Sequence, residues 1–374
     1  MFCSKYITSF YVTLQSKRMN LYNRPMFKSL DIKNFRGIQS AEIDGFERVN
    51  LFFGKNNCGK STVLEALFLI SGQSNPLLPL SVNSMRNYMR FSESDLNIEF
   101  FGLNPENKIN ISVNGDENRW LEISQIKSQS NVVELGSLGN GESDNAAKTY
   151  GIKLNYSVGE RENRYSSELI IKEGDAENGK VKIDKRYKEN LFSRYLTANA
   201  PQASIDEQFA QIVANKKEQK VLSILQEIEP RIKDIQLVGT ELLVDIGESQ
   251  RLPINMMGDG LRKLLFIIVS IYQCRNGLLL VDEIDNGLHF TAMEVLWKAV
   301  LKASADNNVQ LFATTHNIDS LKGLAKVLKQ PEYSEYCSDV CEFKLIKKDD
   351  ASVVAVKYDY DSFEYAVNQE LEIR

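Results

Sequence analysis

The stretch GKNNCGKST, residues 54–62, matches the pattern G-x-x-x-x-G-K-[ST]. In this pattern the glycines let the backbone curl so that its N–H groups face phosphate oxygens, and the following helix adds the positive end of its dipole. Lys60 is expected to contact the β- and γ-phosphates, and the Ser61 hydroxyl to bind Mg²⁺. The stretch therefore predicts a phosphate-binding loop. Its candidate contact residues are Gly54, Asn56, Asn57, Cys58, Gly59, Lys60, Ser61 and Thr62.

The residues on either side of this loop have the pattern of a strand and a helix. Alternation in FKSLDIKNF and then in AEIDGFERVNLFFG predicts two or three strands that end at Gly54. From Lys60 to Ile70 apolar residues recur at helical spacing. Strand, glycine loop and helix in this order are the context that a phosphate loop requires.

Two later strands end in side chains that suit the hydrolysis of a triphosphate. LLLVDE places Asp282 and Glu283 after an apolar strand, where the first carboxylate can bind Mg²⁺ and the second can activate water. QLFATTH places His316 at the end of the next strand, where an imidazole can hydrogen-bond a γ-phosphate and the attacking water. His289, in the loop after the acidic strand, is a candidate for contacts across a subunit interface.

The remaining pattern predicts an α/β protein. Alternating runs over residues 96–182, separated by Gly, Asn and Asp, predict an antiparallel sheet, in which residues 135–147 form a flexible loop. Residues 204–233 have helical periodicity, and DIQLVGTELLVDIG predicts a hairpin. Apolar strands then alternate with helices, which is typical of a parallel sheet covered on both faces, before a last hairpin that turns at Asp349 and Asp350.

Composition limits the classes of protein. The 374 residues are 43% hydrophobic and 25% charged, with a net charge of −5, which excludes disordered, collagen-like and disulfide-scaffold proteins and predicts no global attraction to polyanions. No apolar run is long enough for a membrane span, and five cysteines fit a reducing compartment, so we expect a cytoplasmic protein. Both histidines fall in the motifs above, which argues against histidine-based metal sites or hydrolases.

The order of five segments resembles the ABC-type ATPase heads of the OLD, RecF and SMC group, most closely their short bacterial stand-alone members. The segments are NFRGI, GKNNCGKST, MMGDGLRKLL, LLLVDEIDNGLH and ATTHN, and the similarity covers about residues 26–374, including the final LEIR. In this group two heads enclose two ATP molecules, so that the phosphate loop of one head faces the signature loop of the other.

The resemblance implies a role for individual residues. Lys60 and Ser61 match the Walker A positions, Asp282 and Glu283 match the Walker B aspartate and catalytic base, and His316 matches the switch histidine. The other implied nucleotide contacts are Arg36, the signature residues Met257, Gly258, Asp259 and Gly260, and His289 in the dimer-facing loop. The signature lacks the serine of transporters. The sequence does not identify the glutamine that binds Mg²⁺ between the two halves in this group; Gln73 is too close to the phosphate loop.

The resemblance also implies an architecture: one discontinuous ATPase head with a central mixed sheet, an antiparallel β-rich lobe and a helical insertion. We predict an N-terminal extension over residues 1–25, and an N-terminal half with the Walker A motif and the β-rich lobe over residues 26–195. A helical insertion over 196–235 and a C-terminal half with signature, Walker B and switch histidine over 236–374 complete the chain.

The implied function is an ATPase that dimerises around Mg²⁺ and ATP, as a homodimer or higher oligomer of heads. It regulates a separate effector, a nuclease or toxin, in bacterial anti-phage defence. The alternative is a RecF- or SMC-like DNA repair or chromosome-maintenance ATPase that binds DNA directly. The best candidate for a DNA-binding patch comprises Lys180, Lys182, Lys185, Arg186 and Lys188. A strand edge that is solvated by lysines also explains this patch. A transporter subunit, a scaffold that scarcely turns over and an intrinsic nuclease are less favoured.

Overall fold

The computed structural model describes residues 27–88, 92–127, 149–159, 163–172, 175–198 and 205–368. The predicted N-terminal extension, the loop at 135–147 and the final LEIR lie outside these residues. The first part of the fold consists of β1 (Phe27–Phe35), β2 (Ile38–Asp44), β3 (Val49–Phe53), α1 (Lys60–Ser71) and α2 (Leu78–Met85). The predicted order of strand, glycine loop and helix is thus present.

The β-rich lobe follows as a series of antiparallel neighbours. Its strands are β4 (Ile109–Gly115), β5 (Arg119–Ile126), β6 (Thr149–Val158), β7 (Arg164–Lys172) and β8 (Asp175–Lys182). β4 pairs with β1, so the lobe continues the sheet that carries the phosphate loop. A short strand, β9 (Ser193–Leu196), comes next, and the predicted boundary at residue 195 falls inside it.

A helical segment and a small sheet separate the two halves. They comprise α3 (Ile205–Ala214), α4 (Glu218–Ile228), β10 (Asp234–Val238), β11 (Glu241–Asp245) and β12 (Leu252–Pro253). β10 and β11 are the predicted antiparallel hairpin. The last part consists of α5 (Asp259–Gln273), β13 (Leu278–Val281), α6 (Met293–Asn307), β14 (Gln310–Thr314), α7 (Ile318–Leu328), β15 (Val340–Lys347), β16 (Ser352–Tyr358) and α8 (Tyr360–Asn368).

The main sheet of the described residues has 13 strands, in the order β8-β7-β6-β5-β4-β1-β2-β16-β15-β3-β14-β13-β9, and β10, β11 and β12 form a separate small sheet. β3, β14, β13 and β9 run parallel to one another, and the antiparallel lobe lies toward the other edge. The prediction of a mixed α/β fold with an antiparallel lobe is confirmed. Parallel strands need helical crossovers, which is why α6 lies between β13 and β14.

Both faces of the parallel strands are buried, and alternate side chains enter different cores. Leu51 and Leu279 pack in a cluster with α5 and α6, whereas Phe52 and Leu280 pack in a second cluster with α1. A strand covered on both faces requires near-continuous apolar sequence, as in VNLFF and LLLV. No helix within the described part of the chain combines the length and apolar character that crossing a membrane requires.

Strand register places the functional segments at one edge. Val281 of β13 pairs with Ala313 of β14, and Thr314 pairs with Phe52 of β3. Because these strands are parallel, the residues that follow them emerge at the same carboxyl edge. The phosphate loop, Asp282 and Thr314 are therefore brought together by pairing of three strands that are distant in sequence.

Glu342 of β15 is a carboxylate inside the core. It is 1% exposed, and its Oε1 atom has no hydrogen-bond partner among the described residues. The pKa of this carboxyl is raised to about 8, chiefly by burial and in part by Asp359, whereas a hydrogen bond from its own backbone and the charge of Lys357 oppose the shift. The side chain is therefore protonated in the folded protein at neutral pH, whereas it is ionised in the unfolded chain.

Glu342→Gln is expected to stabilise the protein at alkaline pH and to change little at pH 4. The folded-state pKa lies above the unfolded value, so the stability contributed by protonation is complete below about pH 4.3 and is lost as pH rises through 8. Urea unfolding at pH 9 should show the variant more stable by roughly 2–4 kcal/mol. Glu332→Gln, at an exposed position, should not differ from wild type. An equal effect of Glu342→Gln at both pH values would contradict the assignment.

Candidate nucleotide-binding site

The loop between β3 and α1 has the conformation that its glycines predict. Gly54, Asn57 and Gly59 have φ angles of 137°, 62° and 101°, in the left-handed region. A Cβ atom at Gly54 would lie 2.6 Å from the Leu345 carbonyl oxygen, so only glycine fits there. Gly59 directly precedes α1, whose first N–H groups have no partner within the helix. The loop therefore forms a cradle suited to an anion.

Lys60 lies within the curve of this loop. Its Nζ atom donates hydrogen bonds to the carbonyl oxygens of Gly54, at 2.8 Å, and Lys55, at 3.0 Å. Cys58 is buried in the same loop, and burial raises the pKa of its thiol, so the thiol stays neutral. Asn56 and Asn57 are exposed, and Ser61 and Thr62 are half-buried at the start of α1.

Asp282 joins the phosphate loop to the end of β14. Its Oδ1 atom accepts a hydrogen bond from Ser61 Oγ at 3.1 Å and another from Thr314 Oγ1 at 2.5 Å. A hydroxyl and a carboxylate oxygen at this separation are the hard ligands that Mg²⁺ prefers. These side chains therefore fit a magnesium ion held beside a bound triphosphate.

Glu283 has an unusual backbone conformation. Its φ angle is 49°, a strained value for a residue other than glycine. Its N–H donates to Thr314 Oγ1 at 2.8 Å, and the Ile284 N–H donates to the Thr314 carbonyl at 3.0 Å. Thr314 thus holds the turn from both its side chain and its backbone. Strain held in this way is a recurrent feature of functional sites.

The structure brings Glu283 and His316 together. His316 Nδ1 lies 3.4 Å from Glu283 Oε1, and the two side chains are 52% and 37% exposed. They come from the ends of β13 and β14, as the sequence predicted. A carboxylate and an imidazole at this distance can share the task of holding a water molecule.

Arg36 lies in the turn between β1 and β2, with a φ angle of 52°. The resemblance implied that it contacts nucleotide; in the structure its guanidinium faces buried acceptors. Arg36 Nε lies 3.0 Å from Glu65 Oε2 and 3.6 Å from Glu99 Oε2, and Nη2 donates to Asn83 Oδ1 at 2.9 Å. Arg86 Nε lies 2.6 Å from the other oxygen of Glu65.

Arg36 and its partners form a buried charged cluster beside α1, the helix that follows the phosphate loop. Glu65 follows Ser61 by four residues on α1, so the two share a helix face. Burial raises the pKa of Glu99 to about 7, with Glu65 adding to the shift and Arg36 and Arg86 opposing it. Removing a partner from a buried charge cluster usually destabilises by about 3–5 kcal/mol. Arg36 therefore supports the position of α1 from the turn between β1 and β2.

The signature residues lie at the start of α5. Gly258 is the N-cap of the helix, Gly258 and Asp259 are exposed, and Met257 and Gly260 are half-buried. Asp259 lies 3.3 Å from Arg262 of the next turn. The first N–H groups of α5 are thus at the surface, where they can bind an anion presented by another molecule.

His289 also lies at the surface. Its Nδ1 atom is 3.0 Å from Thr291 Oγ1, and its ring lies 4.2 Å from the ring of Phe290, which is 62% exposed. Gln73, in contrast, is fully buried, and its Nε2 atom donates to the Ser157 carbonyl at 3.1 Å. Its side chain thus connects α1 to the β-rich lobe.

Sequence reasoning missed one residue of this site, Thr314, and two buried charged residues on the elements beside it. The sequence shows Thr314 as a hydroxyl residue in ATTH, at the end of the strand that follows the acidic strand LLLVDE. Lys263 was visible as a cation within the apolar helix LRKLLFII. Asp285 had no signal of its own, because its burial, at 5% exposed, results from the packing of α5 against the loop after β13.

The parallel sheet, the phosphate loop and the acidic strand end define the class of protein: an ABC-type ATPase of the RecF/SMC-like group. The chain belongs to the family of AAA domains described as putative AbiEii toxin, Type IV TA system, which matches residues 49–321. An ATP/GTP phosphatase of Helicobacter pylori is 26% identical over 377 residues, covering 92% of this chain and 99% of that protein.

Shorter and more distant similarities accompany this match. The DNA replication and repair protein RecF of Streptococcus gordonii is 32% identical over 71 residues, 19% of each chain. The SMC head domain from Thermotoga maritima aligns with 89% of this chain and 98% of its own, at 12% identity and a TM-score of 0.41. An SmcHead bound to the C-winged helix domain of ScpA aligns with 91% and 99%, at 13% identity and a TM-score of 0.46.

Proposed function

We propose that this chain binds ATP together with Mg²⁺ and hydrolyses it to ADP and phosphate. One observation carries the proposal: Ser61, Asp282, Thr314 and Glu283 are linked by consecutive hydrogen bonds at the sheet edge that carries the phosphate loop. A structural turn does not require a hydroxyl, two carboxylates and a strained backbone in one network. The name of the Helicobacter pylori relative, an ATP/GTP phosphatase, agrees with this activity.

Each of these residues has its own role in the proposed reaction. Lys60 and the N-terminus of α1 bind the phosphates, and Ser61 and Asp282 would hold Mg²⁺, which would supply positive charge against the phosphate oxygens. Glu283 orients a water molecule for in-line attack on the γ-phosphorus and accepts its proton, while the bond from the γ-phosphorus to the β–γ bridging oxygen breaks and ADP leaves. His316, beside Glu283, hydrogen-bonds the γ-phosphate as charge develops on it.

We further propose that two copies form the complete site, with the signature loop of one head against the phosphate loop of the other. The exposed start of α5 at Gly258 and the exposed His289 support this arrangement. In this proposal the dimer regulates a separate effector, a nuclease or toxin, in anti-phage defence. The family description, putative AbiEii toxin of a Type IV TA system, supports a connection to toxin systems.

Direct DNA binding, as in a RecF-like repair protein, is the alternative, and the partial match to RecF favours it. The basic patch proposed for it is partly neutralised. Lys182 lies 3.5 Å from Glu168, and Arg186 binds Asp184 at 2.6 Å. Lys180, Lys185 and Lys188 are exposed. A strand edge solvated by lysines therefore explains much of this segment.

Phosphate release from ATP tests the proposed function. In the presence of Mg²⁺, the intact chain should hydrolyse ATP at least about tenfold faster than Lys60→Ala, because the variant lacks the cation that holds the phosphates. Chelation of Mg²⁺ should reduce the wild-type rate to the same background. Equal rates for wild type and Lys60→Ala would refute the ATPase proposal.

A further inference from the structure

The proposed triphosphate site has a direction along the edge of the sheet. Glu283 and His316, which act on the γ-phosphate in the proposed reaction, follow β13 and β14 on one side of β3. On the other side of β3 lie β15, β16 and β2. Because ATP is an extended molecule with its γ-phosphate at one end, its ribose and base point away from Glu283. The nucleoside half therefore lies toward β15 and β16, which have no role in the proposed reaction.

The hairpin of β15 and β16 extends past the start of the phosphate loop. β15 is parallel to β3, and Lys344 lies opposite Phe53, the last residue of β3. The next residue, Leu345, packs its carbonyl oxygen against Gly54. The tip of the hairpin, residues 348–351, is farther along the same direction. It therefore lies at the carboxyl edge of the sheet, beside the phosphate loop.

The turn between β1 and β2 is held against this tip. The Gln39 N–H donates to the Ala351 carbonyl oxygen at 3.0 Å. Ile38, at the start of β2, brings its Cδ1 atom to 3.2 Å from the position that a Cβ atom would take on Gly59, directly before α1. The hairpin tip, the turn between β1 and β2 and the phosphate loop thus border one surface, which we call the hairpin surface.

Lys347 places a positive charge on the hairpin surface. It shares a face of β15 with Leu345, which packs in the cluster with α1, so its side chain is on the side of the sheet where the phosphates are proposed to bind. Lys347 is exposed and has no ion-pair or side-chain hydrogen-bond partner within the part of the chain that the structure describes. Its ammonium group is therefore available to a ligand.

Gly37, in the turn between β1 and β2, leaves room for this lysine. Lys347 Nζ lies 3.3 Å from the position that a Cβ atom would take on Gly37. The φ angle of Gly37 is outside the left-handed region, so the backbone of the turn does not itself require glycine. Any other residue there would crowd the ammonium group. The small residue therefore favours a position of Lys347 above the turn.

We propose that the ribose and base of the nucleotide lie on the hairpin surface and that Lys347 recognises the base. The inference rests on the proposed ATPase function. An ammonium group has donors and no acceptor, so it fits the N7 acceptor that adenine and guanine share and cytosine lacks. Lys347 is thus a specificity-determining residue, and the chain binds purine nucleoside triphosphates in preference to CTP.

Equilibrium binding to the full chain tests this role. Lys347→Met should weaken ATP binding about tenfold, because a hydrogen bond from a charged donor is lost. Binding of ribose 5-triphosphate, which has the sugar and phosphates of ATP but no base, should stay within about twofold of wild type. Lys347→Arg keeps a charged donor and should bind ATP within about threefold of wild type.

Lys302→Met is the matched control. It removes another exposed lysine, near the end of α6, where the helix leads to the start of β14 at the opposite edge of the sheet. This variant should bind ATP as wild type does. CTP should bind to wild type about tenfold more weakly than ATP, and Lys347→Met should leave CTP binding unchanged.

The two triphosphates separate the possible results. Equal weakening of ATP and ribose 5-triphosphate by Lys347→Met would mean that the charge acts on the phosphates, which overturns the base contact. Unchanged ATP affinity in Lys347→Met overturns it too, while ATP binding by wild type leaves the proposed ATPase function standing. A wild-type chain that binds neither triphosphate refutes the proposed function and this inference together.

Photolabelling locates the base without a substitution. 8-Azido-ATP has its reactive group on the carbon next to N7, so irradiation should label residues 34–38 or 346–351, which border the hairpin surface. Excess ATP should suppress this labelling. Suppressible labelling confined to other residues would show that the base binds elsewhere, and the inference would then be wrong.

Discussion

Glu283→Gln is expected to lower the turnover number for ATP by about 100- to 1,000-fold while leaving ATP affinity within a few-fold of wild type. The amide keeps the size of the side chain and can still lie 3.4 Å from His316, but it cannot accept a proton from water. Lys60, Ser61 and Asp282, which we propose hold the nucleotide and its metal, are unchanged. The loss should therefore fall on the chemical step and not on binding.

Single-turnover hydrolysis and direct ATP binding separate these two effects. Glu294→Gln makes the same chemical change on α6, where the glutamate lies 3.4 Å from Lys326 at the surface, and should keep the wild-type rate. If Glu283→Gln retains more than about a tenth of the wild-type rate, Glu283 is not the general base. If it loses ATP binding in proportion to the rate, its role is structural.

Features that depend on residues close together in the chain were the easiest to predict from the sequence. The phosphate loop is local: its glycines, Lys60 and Ser61 lie within a few residues, and their backbone requirements are written in the sequence. The placement of Asp282 and His316 needed one further rule, that parallel strands end at a common edge. The register of β3, β13 and β14 satisfies that rule.

Contacts that depend on distant packing could not be predicted. The resemblance assigned Arg36 to the nucleotide, which stays a prediction. The contacts that the structure gives Arg36, with Glu65 of α1 and Glu99 of a segment near β4, have no periodicity in the sequence that relates them. β9 is another example. Its four residues have too little pattern to predict a strand, although they pair with β13, and the Leu196 carbonyl accepts the Asp282 N–H at 2.8 Å.

One candidate nucleotide contact, Gly54, must be glycine because of the packing of a distant strand against it. Gly54→Ala is expected to destabilise the fold by about 2–4 kcal/mol and to weaken ATP binding at least tenfold in whatever protein folds. Two effects add: φ is 137°, and the new Cβ atom would lie 2.6 Å from the backbone oxygen of Leu345, which cannot rotate away as a side chain does. The loop must therefore move relative to β15.

Gly102→Ala separates the general effect of losing a glycine from the effect on the loop. Its φ angle is 67°, and a Cβ atom there meets nothing within 4 Å, so the substitution adds only backbone strain of about 1 kcal/mol. Thermal unfolding and ATP titration of both variants give the comparison. Equal losses of stability in Gly54→Ala and Gly102→Ala would mean that the loop moves away from Leu345 without further cost. Wild-type ATP affinity in folded Gly54→Ala would mean that the curvature of this loop does not shape the phosphate site. A methyl group at this position displaces the loop backbone, so a site that depends on the loop's N–H groups would bind ATP more weakly.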